Sequence, residues 1–325
     1  AMAVSVDWAW RGLGAAGTAG RAWSRLARAG LSALLVGLVA WQAYCVVYLY
    51  SFVGQHDTSG GYGVPLRHWL HLAGMVRREA SAVGIDEVWV ITEGADIGYE
   101  TAPVILHYLL GSDLRTVFLG QGGNEALLLP VGRPALYLLT RPAGASLEAM
   151  LARLEGEERA SLPNPDGQTS SRVVTVPARS LEEILALVPE RASGRLDAGL
   201  RLLGYEWPSG ARPGEMAALA TYWIFEDVPA AERNVQHSLF NHLLDADGRK
   251  VAQRDGFGLP ERHWREGLVL AQWFELELPA GLPAGEYSLL TGMYRLSDLS
   301  RNRVLDPAGQ DVGDSISLGP LPVGP

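Results

Sequence analysis

A continuous apolar run at residues 31–53 constrains this chain more than any other feature of its sequence. The run reads LSALLVGLVAWQAYCVVYLYSFV, carries no charged side chain, and has Gln42 as its most polar residue. As a helix it would rise about 35 Å, enough to cross a hydrocarbon layer of about 30 Å. A secretory signal would have an apolar region of only about 7–15 residues, and the sequence at 51–54 (SFVG) is a poor cleavage site. The run therefore predicts one transmembrane helix over 31–53, with a signal sequence and a buried core helix as the alternatives.

Basic residues on one side of the run predict its orientation. Four arginines lie between residues 11 and 28, opposed only by Asp7, whereas the next Lys or Arg after the run is Arg67. Cytoplasmic segments beside membrane helices carry an excess of Lys and Arg. We therefore expect a single-pass protein of the cell membrane. Its basic segment 1–30 would be cytoplasmic, and the chain from residue 54 onward would be extracytoplasmic.

The net charge and the cysteine content restrict the kinds of binding partner that are expected and the ways in which the fold can be stabilised. The net charge is −9, which gives no electrostatic case for nucleic-acid binding. The lipid bilayer is the expected partner because of the apolar run at 31–53. The one cysteine, Cys45, lies inside the apolar run, so no disulfide can form within the chain. An extracytoplasmic part must then be held together by its hydrophobic core, which a chain of 325 residues is long enough to build.

Helical and strand patterns alternate over residues 54–193. The apolar run at 88–92 (VWVIT) is typical of a strand buried on both faces, and Ser180 with Glu183 forms a capping box that opens a short helix. Other segments predict a helix with Pro65 in its first turn that runs up to Gly84, helices at 101–110 and 146–154, and strands at 116–119, 135–140 and 172–176. This alternation predicts a small Rossmann-like α/β domain with a parallel or mixed sheet. The glycine spacing of a nucleotide-binding loop is missing at 120–123 (GQGG), which we interpret as a turn, so no cofactor is expected.

An acidic group follows the first predicted strand of this domain. Glu93, Asp96 and Glu100 come directly after 88–92, at the edge where α/β sheets bind their ligands. They are candidate ligand-binding residues and, in a weaker hypothesis, the acidic residues of an unrecognised hydrolase; a solvated loop is the alternative. His68 and His71 are three residues apart on a predicted helix, but no third ligand is evident, so no metal site is predicted.

The pattern changes after residue 193 to short alternating strands separated by turns. Turn sequences such as 245–248 (DADG) and 283–285 (PAG) separate eight candidate strands, which predicts an antiparallel β-sandwich, Ig-like or jelly-roll-like, over 194–325. Trp223, Trp264 and Trp273 could form a face on which sugar rings stack, so Trp264 and Trp273 are candidate ligand-binding residues; burial in the sandwich core is the alternative. No Ser/His/Asp or Cys/His spacing specifies catalysis.

Several stretches resemble the C-terminal sandwich of bacterial GT-C membrane glycosyltransferases, the group similar to protein O-mannosyltransferases and aminoarabinose transferases (glycosyltransferase family 39-like). These stretches are 240–248 (FNHLLDADG), 251–255 (VAQRD), 264–267 (WREG), 282–287 (LPAGEY) and 292–294 (GMY). Residues 91–96 (ITEGAD) and 135–138 (ALYL) are similar to the small α/β region that precedes that sandwich. The order of the parts agrees as well: a membrane helix, an α/β region, then a sandwich.

The resemblance implies an enzyme that takes a sugar from a polyprenyl-phosphate donor. Its catalytic acids would lie in an early loop between membrane helices that precede this sequence, so no catalytic residue is assigned here. We expect a non-catalytic extracytoplasmic module of such a transferase, either a fragment that begins at Ala1-Met2 or a reduced family member, with access to glycan or lipid-linked sugar through the full-length enzyme. The alternative is a stand-alone single-pass surface protein whose sandwich binds carbohydrate or a protein partner.

Overall fold

A computed structural model describes residues 21–58, 63–120 and 125–324, with the side chains of 21–24 left out. Most of the predicted basic segment and the predicted turn at 120–123 therefore lie outside the described residues. The chain divides into two compact units, residues 1–67 and residues 68–325.

Helix α1, Arg21–Val53, contains the predicted transmembrane segment. Its part Arg25–Val53 is long and apolar enough to cross a membrane, and large apolar side chains along it, such as Val39 and Val47, are exposed. Aromatic rings follow one another along one face from Trp41 through Tyr44 and Tyr48 to Phe52. The prediction of one N-terminal helix able to span a membrane is confirmed.

The second unit is rich in β-strands and contains a few helices. The helices are α2 Leu66–Val83, which begins at the end of the first unit, α3 Thr101–Leu110, α4 Ala145–Arg153 and α5 Leu181–Ala186. The first strands are β1 Glu87–Thr92, β2 Arg115–Gly120, β3 Ala126–Leu129, β4 Ala135–Leu139, β5 Glu157–Pro163, β6 Ser170–Val176, β7 Glu190–Leu196 and β8 Leu200–Glu206. The remaining strands are β9 Met216–Phe225, β10 His237–Leu244, β11 Lys250–Gly256, β12 Val269–Glu277, β13 Gly285–Arg295, β14 Val304–Leu305, β15 Asp311–Gly313 and β16 Ile316–Val323.

Five strands form a mixed sheet in the order β2-β1-β4-β6-β5. β1 pairs in parallel with β2 and β4, whereas β6 is antiparallel to both β4 and β5. Every residue of β1 is buried, as its continuous apolar sequence predicts for a central strand. The capping box before α5 is present: the Ser180 side chain accepts from the Glu183 backbone, and the Glu183 carboxylate accepts from the Ser180 backbone.

Two antiparallel sheets make up the rest of the body. The four-stranded sheet has the order β11-β10-β13-β16, and the seven-stranded sheet has the order β15-β14-β7-β8-β9-β12-β3. In β12 the first six residues are all buried, although the sequence alternation predicts a strand with one solvent-facing side. Continuous burial in β12 and in most of β9 indicates that this sheet is covered on both faces there. Successive residues of these strands therefore do not alternate between a buried and an exposed face.

The sequence-predicted boundary at residues 193 and 194 falls inside β7. In addition, β3 from the first predicted domain pairs with β12 from the second. Among the described residues, one hydrophobic cluster accordingly extends from Trp89 to Val323 across this boundary, and the division of the body into two domains stays a prediction. The coarser prediction, a largely β-sheet body with a few helices, is confirmed.

Candidate functional site

A cleft of about 370 Å³ lies at the C-terminal edge of β1. The loop after β1 forms one wall, and two short 3-10 turns, Glu232–Asn234 and Glu261–His263, form much of the other. The lining residues are Ala95, Asp96, Arg233, Asn234, Val235, Gln236, His237, Phe257, Leu259, Pro260, Glu261, Arg262 and Leu296. The cleft therefore combines polar and charged groups with an apolar part of similar extent.

Arg262 joins the two walls. Its Nη2 donates a hydrogen bond to the Ala95 carbonyl oxygen at 2.8 Å, and its Nη1 lies 4.0 Å from Asp96 Oδ1. The same Asp96 oxygen accepts from the Gly98 backbone at 2.7 Å, which fixes the direction of the carboxylate. Burial lowers the pKa of Arg262, while the carboxylates of Asp96 and Glu261 oppose that shift. The site thus presents a positioned guanidinium beside a positioned carboxylate.

A buried histidine between two carboxylates supports the wall formed by the 3-10 turns. His237 Nε2 lies 2.9 Å from Glu232 Oε2, and His237 Nδ1 lies 3.5 Å from Glu261 Oε1. Arg295 Nη2 donates to the other Glu232 oxygen at 2.7 Å. Burial by itself raises the pKa of Glu232, but the Arg295 hydrogen bond and charge, with His237, lower the pKa overall. The His237 side chain is fully buried, so it holds the turns together, and only the backbone of His237 is exposed where this residue lines the cleft.

The predicted tryptophans belong to the core and do not form an exposed platform. Trp264 is only 2% exposed and stacks on the His237 ring at 5.1 Å between centroids, with Nε1 donating to the Leu259 carbonyl. Trp273, in β12, is 7% exposed, and Trp223 is fully buried. For Trp223 and Trp273 the physical reason is that β9 and β12 are covered on both faces, so rings on either side of these strands meet protein. The alternation of residues along a strand does not show that both faces of its sheet are covered by other parts of the protein.

The predicted acidic group is divided among three environments. Asp96 lines the cleft, whereas Glu93 is highly exposed and lies 3.6 Å from Arg141. Glu100 precedes α3 without capping it through its side chain, and it packs so closely on Gly94 that a Cβ there would lie 2.5 Å from Glu100 Cγ. Among the described residues, no three His, Cys, Asp or Glu side chains converge as they would around a metal ion.

Phe257 and Arg262 are cleft residues that the sequence analysis did not identify. Phe257 is half-buried, lies in the lining, and stands perpendicular to Trp264 at 5.5 Å between ring centroids. Both residues belong to the irregular segment 257–268 between β11 and β12, which has no periodic pattern to place it in the fold. The available signal was the density of charge in 261–266 (ERHWRE), which is unusual so close to the start of the apolar strand β12.

Comparison with known proteins adds no relative: no family profile matches the chain, and no curated protein is significantly similar to it. The class that the described residues define is structural. It combines one helix long and apolar enough to span a membrane with a β-rich body that carries a polar cleft at the end of its parallel strands.

Proposed function

We propose that this chain is a membrane-anchored, non-catalytic module of a polyprenyl-phosphate-sugar-dependent glycosyltransferase, and that its cleft binds an acceptor glycan. The observation that carries the glycan part is the composition of the cleft. A half-buried aromatic ring, Phe257, shares the lining with Arg262, Asp96, Asn234 and Gln236. Sugar sites combine these elements, because a ring packs on the apolar face of a pyranose while planar polar groups hydrogen-bond its hydroxyls.

The proposed relation to the transferase tail rests on the sequence resemblance and on where the resembling segments lie. Residues 240–248, 251–255 and 292–294 belong to β10, β11 and β13 or the turn beside them, three adjacent strands of one sheet. At the finer level we propose that the five-stranded sheet is the small Rossmann-like region and that the two antiparallel sheets form the Ig-like or jelly-roll-like sandwich. The acidic-hydrolase hypothesis has less support, since Glu93 and Glu100 do not line the cleft.

Glycan binding is tested with the full chain in detergent micelles on an array of bacterial surface oligosaccharides. We expect binding that Phe257→Ala and Arg262→Gln each weaken at least about tenfold, because each removes a contact worth about 1.4 kcal/mol or more. Arg249→Gln is the matched control, since Arg249 is an exposed arginine of the β10–β11 turn that does not line the cleft. Absence of binding, or binding that neither cleft variant changes, refutes the glycan role.

Non-catalysis and orientation are tested separately. In proteoliposomes with radiolabelled polyprenyl-phosphate mannose, the chain alone should transfer and release no sugar; turnover would refute the non-catalytic assignment.

For orientation, Cys45→Ser removes the one native thiol, and Ser209→Cys or Ser5→Cys then introduces a single label site on either side of α1. We expect a membrane-impermeant maleimide to label only Ser209→Cys in intact bacterial cells, and the reverse pattern would overturn the proposed orientation.

A further inference from the structure

A second concave site lies at the opposite end of β1 from the cleft. A groove of about 360 Å³ is lined by the first residues of β1 and β2, Glu87 and Arg115, together with Arg133, Arg265 and Glu266. β1 has six residues, so its first and last residues are about 17 Å apart at about 3.3 Å per residue. The groove and the cleft have no lining residue in common, so the groove is a separate site.

Three arginines converge on one buried carboxylate in this groove. Glu87 is 5% exposed, and its Oε1 accepts from Arg133 Nη2 at 2.6 Å, from Arg265 Nη2 at 2.5 Å and from Trp89 Nε1 at 2.6 Å. The other oxygen, Oε2, lies 3.4 Å from Arg115 Nε. Burial alone raises the pKa of Glu87, but the hydrogen bonds and charges of these neighbours lower it overall, so the carboxylate is ionised at neutral pH.

Positive charge is in excess here. Three guanidinium groups face two carboxylates, and one of these, Glu266, is exposed at the groove with its charge solvated. Arg115 and Arg133 remain 60% and 47% exposed, so most of their N–H groups point away from Glu87. The Nη1 of Arg265 is a buried donor with no hydrogen-bond partner among the described residues. Nearby, burial and the charges of Arg262, Arg115 and Arg265 lower the pKa of His263 to about 3.

We propose that this groove is a binding site for a phosphate group, carried either by a soluble phosphate ester or by a lipid headgroup. Guanidinium groups match the geometry of phosphate oxygens with paired N–H donors, and each such charge-assisted bond is stronger than a neutral one. Glu87 positions the arginines, and the incoming oxyanion compensates the charge that Glu87 leaves unpaired. The site is independent of the proposed glycan cleft, and either can fail without the other.

Calorimetric titration of inorganic phosphate into the full chain in detergent micelles, at low ionic strength, tests the proposal. We expect saturable binding in the wild type and at least about tenfold weaker binding in Arg115→Gln and in the double variant Arg115→Gln/Arg133→Gln. Arg249→Gln is the control and should bind like the wild type. Because Arg133 also contacts buried Glu87, circular dichroism checks the fold of the double variant. If the double variant is unfolded, the result for the single variant Arg115→Gln is the test.

Absent binding, or binding that Arg115→Gln leaves unchanged, overturns the proposal. Competition then separates the two sources of phosphate. Glucose 6-phosphate that displaces inorganic phosphate indicates a soluble ester, whereas displacement in nanodiscs containing phosphatidic acid, but not in phosphatidylcholine alone, indicates a headgroup. If neither competes with bound inorganic phosphate, the site does not accept phosphate esters and the proposal is refuted.

Discussion

Replacing Glu87 by glutamine should destabilise the protein although it changes one atom of the side chain. Removing one partner from a buried ion pair costs about 3–5 kcal/mol. Two corrections reduce this figure. The glutamine oxygen still accepts from Trp89, and Arg115 and Arg133 are exposed enough to regain water, as in surface pairs worth about 0–1 kcal/mol. The main loss is the ion pair with Arg265, which is 22% exposed, so we expect about 2 kcal/mol.

Thermal unfolding followed by circular dichroism, on the full chain in detergent micelles, measures this loss. For a body of this size about 2 kcal/mol corresponds to a fall in Tm of about 4–8 °C at pH 7. Glu93→Gln is the matched control, because Glu93 is also an arginine-paired glutamate but is 79% exposed, and its Tm should stay within about 1 °C of the wild type. A Glu87→Gln variant as stable as that control would refute the argument that the buried charge organises the arginines.

The stabilisation by Glu87 should also depend on pH, and the direction of this dependence follows from its pKa. The folded pKa of Glu87 lies below its ordinary value of 4.5, so its stabilisation is complete above that value and disappears as the pH falls through the folded pKa. The difference in Tm between wild type and Glu87→Gln should therefore be full at pH 7 and shrink below about pH 4.5. A difference that grows on acidification contradicts the assignment of an ionised Glu87.

Three further predictions concern other parts of the chain. Histidine-selective NMR should show no titration of the His263 ring between pH 5 and 8, because its pKa is lowered to about 3; a midpoint near 6.5 would contradict the burial that we describe. Trp264→Ala should cost about 3–5 kcal/mol in chemical unfolding, since a nearly fully buried ring is removed, and a loss below about 1 kcal/mol would show that the ring is not part of the core. Val39→Arg places a charge near the middle of α1 at a cost of about 2.5–3.5 kcal/mol and should reduce the carbonate-resistant membrane fraction, whereas Leu26→Arg near the start of the helix should not.

Local sequence signals predicted the elements well wherever a local rule decides the conformation. The capping box at Ser180 predicted the start of α5, and the apolar run at 88–92 predicted the buried strand β1. Strand β5 was missed because it lies at the edge of its sheet and its largely exposed residues, 157–163, have no apolar face to reveal it. Strand β3 was missed for a different reason: its four residues pair with β12, which lies about 140 residues further along the chain, and no local pattern encodes that partner.

The candidate sites were harder to predict than the elements, and the segment 257–268 shows why. This one irregular segment supplies Phe257 and Arg262 to the cleft and Arg265 to the groove at the other end of β1. Its Trp264 carried a prediction of direct sugar contact, yet its ring is buried against His237 and Phe257, between the residues that reach the two sites. An aromatic residue in the sequence indicates a large apolar surface but not which side of it meets solvent. Here the ring anchors the segment, and the charged residues on either side of it are the ones presented to ligands.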